Sequence, residues 1–277
     1  VLSALLVVLA GLAVLTYVVG PILVKFSNRS SAHPSFTALD PSQLPLPVAQ
    51  YMGGVVGVLQ EDGFVPQAYL NLPNQVANVN AFMLLMQNRE VGDQAGIFAL
   101  LATSDGMTSL KTPYVEFSTK FASGRSFDTN NAGQLNAFTP PPGRTVTQVP
   151  DVQDVGTLYR LHRYVMAKAA EAEGGEAAWG AHKLYPPGPE GHARALAEGM
   201  RDSYEVQVRM GVLHPTPGGD AYLPTWPGAF KMTWGLLPPM NWLRRSALKK
   251  RGEELLARMQ RDTAAESWAE RKRGAGL

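Results

Sequence analysis

The sequence predicts an α+β protein: one N-terminal transmembrane helix, a linker, an antiparallel sheet of about four strands covered by a helix, and a mainly helical C-terminal portion with a short β-hairpin. Three observations lead there. The first 24 residues carry no charged side chain. Between Asn78 and Asn131 short apolar runs alternate with turn residues, and from Val155 onward apolar residues recur at three- and four-residue spacing.

The N-terminal run comes first. From Val1 to Val24 it is apolar and ends at Lys25; a helix of that length would reach roughly 36 Å, enough for a hydrocarbon core of about 30 Å. Tyr17 lies in its outer third, and Gly20 and Pro21 follow where a kink is tolerated. A cleaved signal peptide is the rival reading, with Ser30-Ser31-Ala32 as its small-residue site. The run exceeds an ordinary signal core, so a single-pass anchor (residues 1–25) is expected. Lys25 and Arg29 beyond it favour a cytoplasmic body.

Residues 26–47 are rich in Ser, Thr and Pro and are expected to form an extended spacer. Next, Val48–Leu59 holds Gly53, Gly54 and Gly57 without the following Lys-Ser or Lys-Thr of a phosphate loop, so it is expected to be a packing element. Strands are expected at Ala81–Gln87, Gly96–Thr103, Tyr114–Phe121 and Ser126–Thr129, with Ser104-Asp105-Gly106 among the turns. In the third of these, Val115, Phe117, Thr119 and Phe121 face one way and Tyr114, Glu116, Ser118 and Lys120 the other. The apolar face needs a cover.

After the proline-rich loop Thr139–Pro150, a helix beginning near Asp151 or Asp154 presents Val155, Leu158, Tyr159, His162, Val165 and Met166 on one side. It is the expected cover and closes an α+β domain over residues 48–173. His162 is expected to be a packed histidine, since no second ligand sits at helical spacing from it. Gly174-Gly175 and Pro186-Pro187-Gly188-Pro189 then set off a small helix–hairpin–helix portion, residues 190–243. Thr225 is placed to cap its last helix. From Ala195 to Phe230 the order of elements is similar to the tail of a winged-helix unit, which implies a helix presented to DNA. That helix carries Arg194, Arg201 and Arg209 against Glu198, Asp202 and Glu205. A balance of zero argues against phosphate contact, so nucleic acid is not an expected partner.

Trp226, Phe230, Trp234 and Trp242 precede Arg244, Arg245, Lys249, Lys250 and Arg251, and the tail (residues 244–277) is basic. Aromatic residues beside a basic run suit a lipid boundary, a partner groove or a plain core with a solvated helix. Together with Tyr17 and Lys25 these nine residues are the expected contacts with membrane lipid or with other subunits of a membrane complex.

Chemistry is mostly excluded. The chain has no cysteine, which removes disulfides, thiolate metal sites and cysteine-held cofactors. Its five histidines form no metal-ligand pattern, and no nucleophile elbow, Walker loop or dinucleotide fingerprint is present. No catalytic residue, metal or cofactor is expected. Asp151 and Asp154 read as helix capping, while Glu116 and Asp128, with Asn130 and Asn131, could line a polar face of the sheet. The function expected is that of a non-catalytic, membrane-anchored accessory or scaffolding subunit of a larger complex. The alternative is a membrane-tethered enzyme or ligand-binding domain whose site is assembled from residues far apart in sequence.

Overall fold

The computed structural model describes residues 2–76, 79–104 and 107–274; side chains are described for these except at 2–10, 12, 13, 73–76, 79, 103, 104, 107, 108 and 266–274. The chain is α+β, with six α-helices and two sheets, of three and seven strands, among the described residues. They fall into two compact units. Residues 1–35, 135–142 and 193–245 make unit 1; residues 36–134, 143–192 and 246–277 make unit 2.

Unit 2 is built on the larger sheet. Its strands are β2 (Thr37–Ala38), β3 (Val65–Val76), β4 (Val79–Asn88), β5 (Asp93–Ser104), β6 (Met107–Lys120), β7 (Ser126–Asn130) and β8 (Arg144–Gln148), side by side in that order. Every pairing is antiparallel except β7 with β8. The four expected runs lie in β4 to β7, in the middle of a seven-stranded sheet rather than a sheet of four. Asn78, Asp105 and Gly106, expected at the start of the sheet and in one of its turns, lie outside the described residues.

One face of this sheet is closed by α2 (Leu46–Glu61) and α3 (Val155–Glu173). Val48, Met52, Val55 and Leu59 bury one side of α2. Its three glycines fall on the outer side, where added side chains would meet open space. From the sheet come Phe82, Leu84, Ile97, Val115 and Phe117, and from α3 Leu158 and Leu161. Each such side chain contributes about 1.5–3 kcal/mol on burial. Asp154 caps α3, its carboxylate accepting from the Thr157 N–H at 2.7 Å, and Gly174 ends it in the left-handed region at φ 89°. Asp154→Ala should cost about 1 kcal/mol in urea unfolding, and Asp154→Asn much less; equal losses would show that the cap bond is immaterial.

Unit 1 holds α1 (Leu2–Ser27), β1 (Ser30–Ser31), most of α4 (Pro189–Arg209), β9 (Leu213–Pro215), β10 (Ala221–Pro224), α5 (Trp226–Trp234) and the start of α6 (Met240–Gly274). β10 pairs with β9 as a hairpin and with β1 on its other side. Thr225 caps α5 by accepting from the Gly228 N–H at 3.0 Å.

The membrane anchor is the main correction. Among the described residues no helix is long and apolar enough to cross a membrane, so the expected transmembrane helix, single-pass membrane localisation and orientation are not supported. The described side chains of α1 comprise Gly11 and Val14–Ser27, shorter than a span. The apolar run before Val14, Gly11 apart, lies outside them. What is described is packed as part of a fold. Lys25 Nζ donates to the Pro224 carbonyl at 2.8 Å, and the Tyr17 carbonyl accepts from Trp234 Nε1 at 3.0 Å. At Gly20 a Cβ would stand 2.8 Å from Thr233 Cγ2, so the glycine lets α1 approach α5 closely. A long apolar run in the sequence does not distinguish such a helix from a span.

Candidate functional site

Two groups of side chains stand out, one in each unit. In unit 1, Phe26, Trp226, Phe230 and Trp234 form a ladder of rings, with successive centroids 5.9, 6.5 and 4.8 Å apart. Much of it faces outward: Phe26 is 75% exposed and Trp226 and Trp234 each 46%. On α1 the exposed residues Val14, Val18, Ile22 and Phe26 follow at four-residue intervals, a continuous apolar stripe. At the start of α6, Trp242 and Leu243 are also exposed, Trp242 at 65%.

Of the residues expected to make contacts, Tyr17, Trp226, Phe230 and Trp234 are therefore brought together in unit 1. Lys25 is tied to the Pro224 carbonyl. Arg244 is used internally, donating to the carbonyls of Gly235 and Asn136 at 3.3 and 2.7 Å. Arg245 is exposed, as are Lys249, Lys250 and Arg251 further along α6 in unit 2.

In unit 2 the sheet carries polar side chains on both faces. Beneath α3, Asp93 and Thr119 are wholly buried with His162. The Thr119 hydroxyl donates to Asp93 Oδ1, whose other oxygen accepts from Tyr159 OH at 2.9 Å; Arg163 lies 3.2 Å from the same carboxylate. With the Thr119 proton so committed, His162 Nε2 must donate to Thr119 Oγ1 at 2.9 Å, leaving Nδ1 to accept from Thr129 Oγ1 at 3.1 Å. This fixes a neutral tautomer. Burial pushes the His162 pKa down to about 4, against the opposing charges of Asp93 and Asp128. No member of this trio is open to a substrate, and the arrangement is an internal strut.

The second face is wetter. Asp128 is buried and accepts from Arg144 Nε; Arg144 also lies 3.7 Å from Glu116, which accepts from Asn130 Nδ2 at 3.1 Å. Burial and the neighbouring Asp128 raise the Glu116 carboxyl to about 7, although Arg144, Asn130 and Lys120 pull the other way. Glu116, Asp128 and Asn130 thus share the face expected of them. Asn131 does not: it turns inward, accepting from the Val115 N–H at 2.8 Å and donating to the Val152 carbonyl at 3.0 Å. Arg144 is the member that sequence reasoning missed. It reaches the cluster through the parallel β7–β8 pairing, which leaves no local pattern.

Among the described residues no group of three His, Asp or Glu side chains is placed to hold a metal ion. A shallow apolar notch lies between Val149–Val152 and the Leu248–Leu256 stretch of α6. No protein family, curated protein or solved structure matches the chain.

Proposed function

We propose that this chain is a non-catalytic accessory subunit, which works by holding a partner protein of a larger assembly on the apolar, aromatic face of unit 1. The supporting observation is the concentration of exposed large apolar side chains on the described part of α1, on α5 and at the start of α6. Its α1 and α5 parts are joined through the Phe26–Trp226–Phe230–Trp234 rings; exposed apolar surface of this kind marks interaction sites, and exposed tryptophans are frequent anchors in them. The titratable clusters of unit 2 fit the same reading, because their charges are spent on each other.

The test is the native mass of the purified chain together with the proteins that accompany it. A stoichiometric complex of fixed composition is expected. Trp242→Glu should reduce partner recovery about tenfold or more while changing stability by no more than about 0.5 kcal/mol, since Trp242 is largely exposed. A clean monomer or homodimer from the unaltered chain would reject the proposal.

A further inference from the structure

The seven-stranded sheet of unit 2 ends in two edges that are built differently. At one edge β2 pairs with Leu70 and Asn71 of β3, and the stretch of β3 before them is guarded. Pro66 offers no N–H, the register with β4 shifts between Pro66 and Ala68, and Gln67 Nε2 donates to the Val65 carbonyl at 3.2 Å. Prolines and bulges of this kind keep an edge from pairing with another chain. The other edge, β8, has neither. It reads Arg144-Thr145-Val146-Thr147-Gln148, with no proline, glycine, lysine or register shift, and its three middle residues are β-branched.

Its pairing with β7 settles which backbone groups of β8 face outward. The Gly143 carbonyl accepts from the Ser126 N–H at 3.0 Å, and the Val149 N–H donates to the Asn130 carbonyl at 2.8 Å. In a parallel ladder with these ends, Thr145 and Thr147 also bond to β7, while the N–H and C=O of Arg144, Val146 and Gln148 point away from it. Among the described residues no strand lies beyond β8, and those outward groups make no backbone hydrogen bond. Arg144, Thr145, Val146 and Gln148 are all partly exposed. The two long side chains are held elsewhere: Arg144 turns back to Asp128, and Gln148 Nε2 donates to the Ala132 and Gln134 carbonyls, both at 2.6 Å.

We propose that β8 is a pairing edge, on which a second copy of this chain lays its own β8 antiparallel about a twofold axis through Val146. The strand is complementary to itself in that register. The three outward residues meet as hydrogen-bonded pairs, Val146 with Val146 and Arg144 with Gln148 of the second copy on either side, giving about six backbone hydrogen bonds. On the open face no like charges oppose each other, since the two Arg144 side chains start four residues apart along the strands, roughly 13 Å, and each is already matched by Asp128. On the other face Thr145 meets Thr147, a favourable cross-strand pair. Pro142 and Pro150 bound the strand, so both copies offer the same short length. An interface of this kind is isologous and closes after two copies. The edge belongs to unit 2 and stands independently of partner docking by unit 1. Two copies joined at β8 with no other protein would support this inference and reject partner docking, so the two readings fail separately.

Five residues make a small contact, so the expected dimer is weak, with a dissociation constant on the order of 0.1 mM. The test is sedimentation of the full chain over a concentration range reaching about 1 mM, with amide exchange followed residue by residue. Raising the concentration should slow exchange at Arg144, Val146 and Gln148, whose N–H groups the second copy takes up, and leave Thr145 and Thr147, already bonded to β7, unchanged. Val146→Lys and Val146→Glu each place like charges opposite one another at the axis and should weaken the dimer about tenfold. An equal mixture of the two variants should restore it, because Lys then faces Glu. If either variant does not fold, the exchange pattern of the unaltered chain carries the test. A chain that stays monomeric throughout, a dimer without slowed exchange at those three residues, or a variant mixture no tighter than its components would each overturn the proposal.

Discussion

Glu116→Gln should make the protein acid-sensitive between pH 6.5 and 4, whereas His162→Gln should make it more stable as the pH falls from 7 to 4.5. Each half follows from where a proton sits. Glu116 titrates near 7 in the folded chain against an ordinary 4.5, so between those values the folded state holds a proton that the unfolded state has released. Stability from this group is greatest below pH 4.5 and declines as the pH rises through 7. His162 titrates near 4 against an ordinary 6.5, so between those values the unfolded state holds the extra proton. Stability from this group is present above pH 6.5 and is lost as the pH falls through 4. Each amounts to about 3 kcal/mol. Where the windows overlap, from 4.5 to 6.5, folding moves one proton between groups and takes up none, so the two slopes cancel. Removing either partner exposes the other. Urea midpoints at several pH values, for the two variants and the unaltered chain, check this as differences; three parallel profiles would refute it.

Gly228→Ala should be among the most damaging single-methyl additions in unit 1. A Cβ there would stand 2.7 Å from the carbonyl carbon of Val212 and closer still to its oxygen. The obstacle is backbone. The same Val212 carbonyl accepts from the Thr225 N–H at 2.9 Å, and the Thr225 side chain caps α5 through Gly228 itself. The first turn of α5 must then move away from the end of β9, losing the cap with it. Overpacking of this kind costs about 1–3 kcal/mol, and loss of the cap adds about 1. Increased amide exchange confined to α5 and the β9–β10 hairpin is the expected sign; an unchanged exchange pattern would mean that the approach is looser than the backbone positions imply.

The parts of the fold that were legible in sequence are those whose signal is local. Strand β6 shows its two faces by strict alternation, and Asp151 and Asp154 mark the start of α3, although only the structure shows that Asp154 is the cap. The polar face was visible through Glu116, Asp128 and Asn130, which sit on adjacent antiparallel strands joined by a short turn. What was hidden depends on distant pairing. β8 is five residues long with Val146 as its only aliphatic residue, and it returns parallel to β7 through a connection that carries no strand signal. The same holds for α1: apolar composition alone gave no hint that Tyr17, Gly20 and Lys25 meet α5 and β10. The ring ladder was readable as a cluster of aromatics but not as one completed by Phe26.

The pairing of α1 with α5 also shapes what happens while the chain is being made. The Trp234–Tyr17 hydrogen bond joins residues 217 positions apart. At ribosomal rates of about 5–20 residues per second, α1 waits on the order of 10–40 s before its partner emerges. Throughout that interval its apolar side chains have no α5 to cover them. A ribosome stalled before residue 226 would therefore present more uncovered apolar surface than one that has passed residue 234.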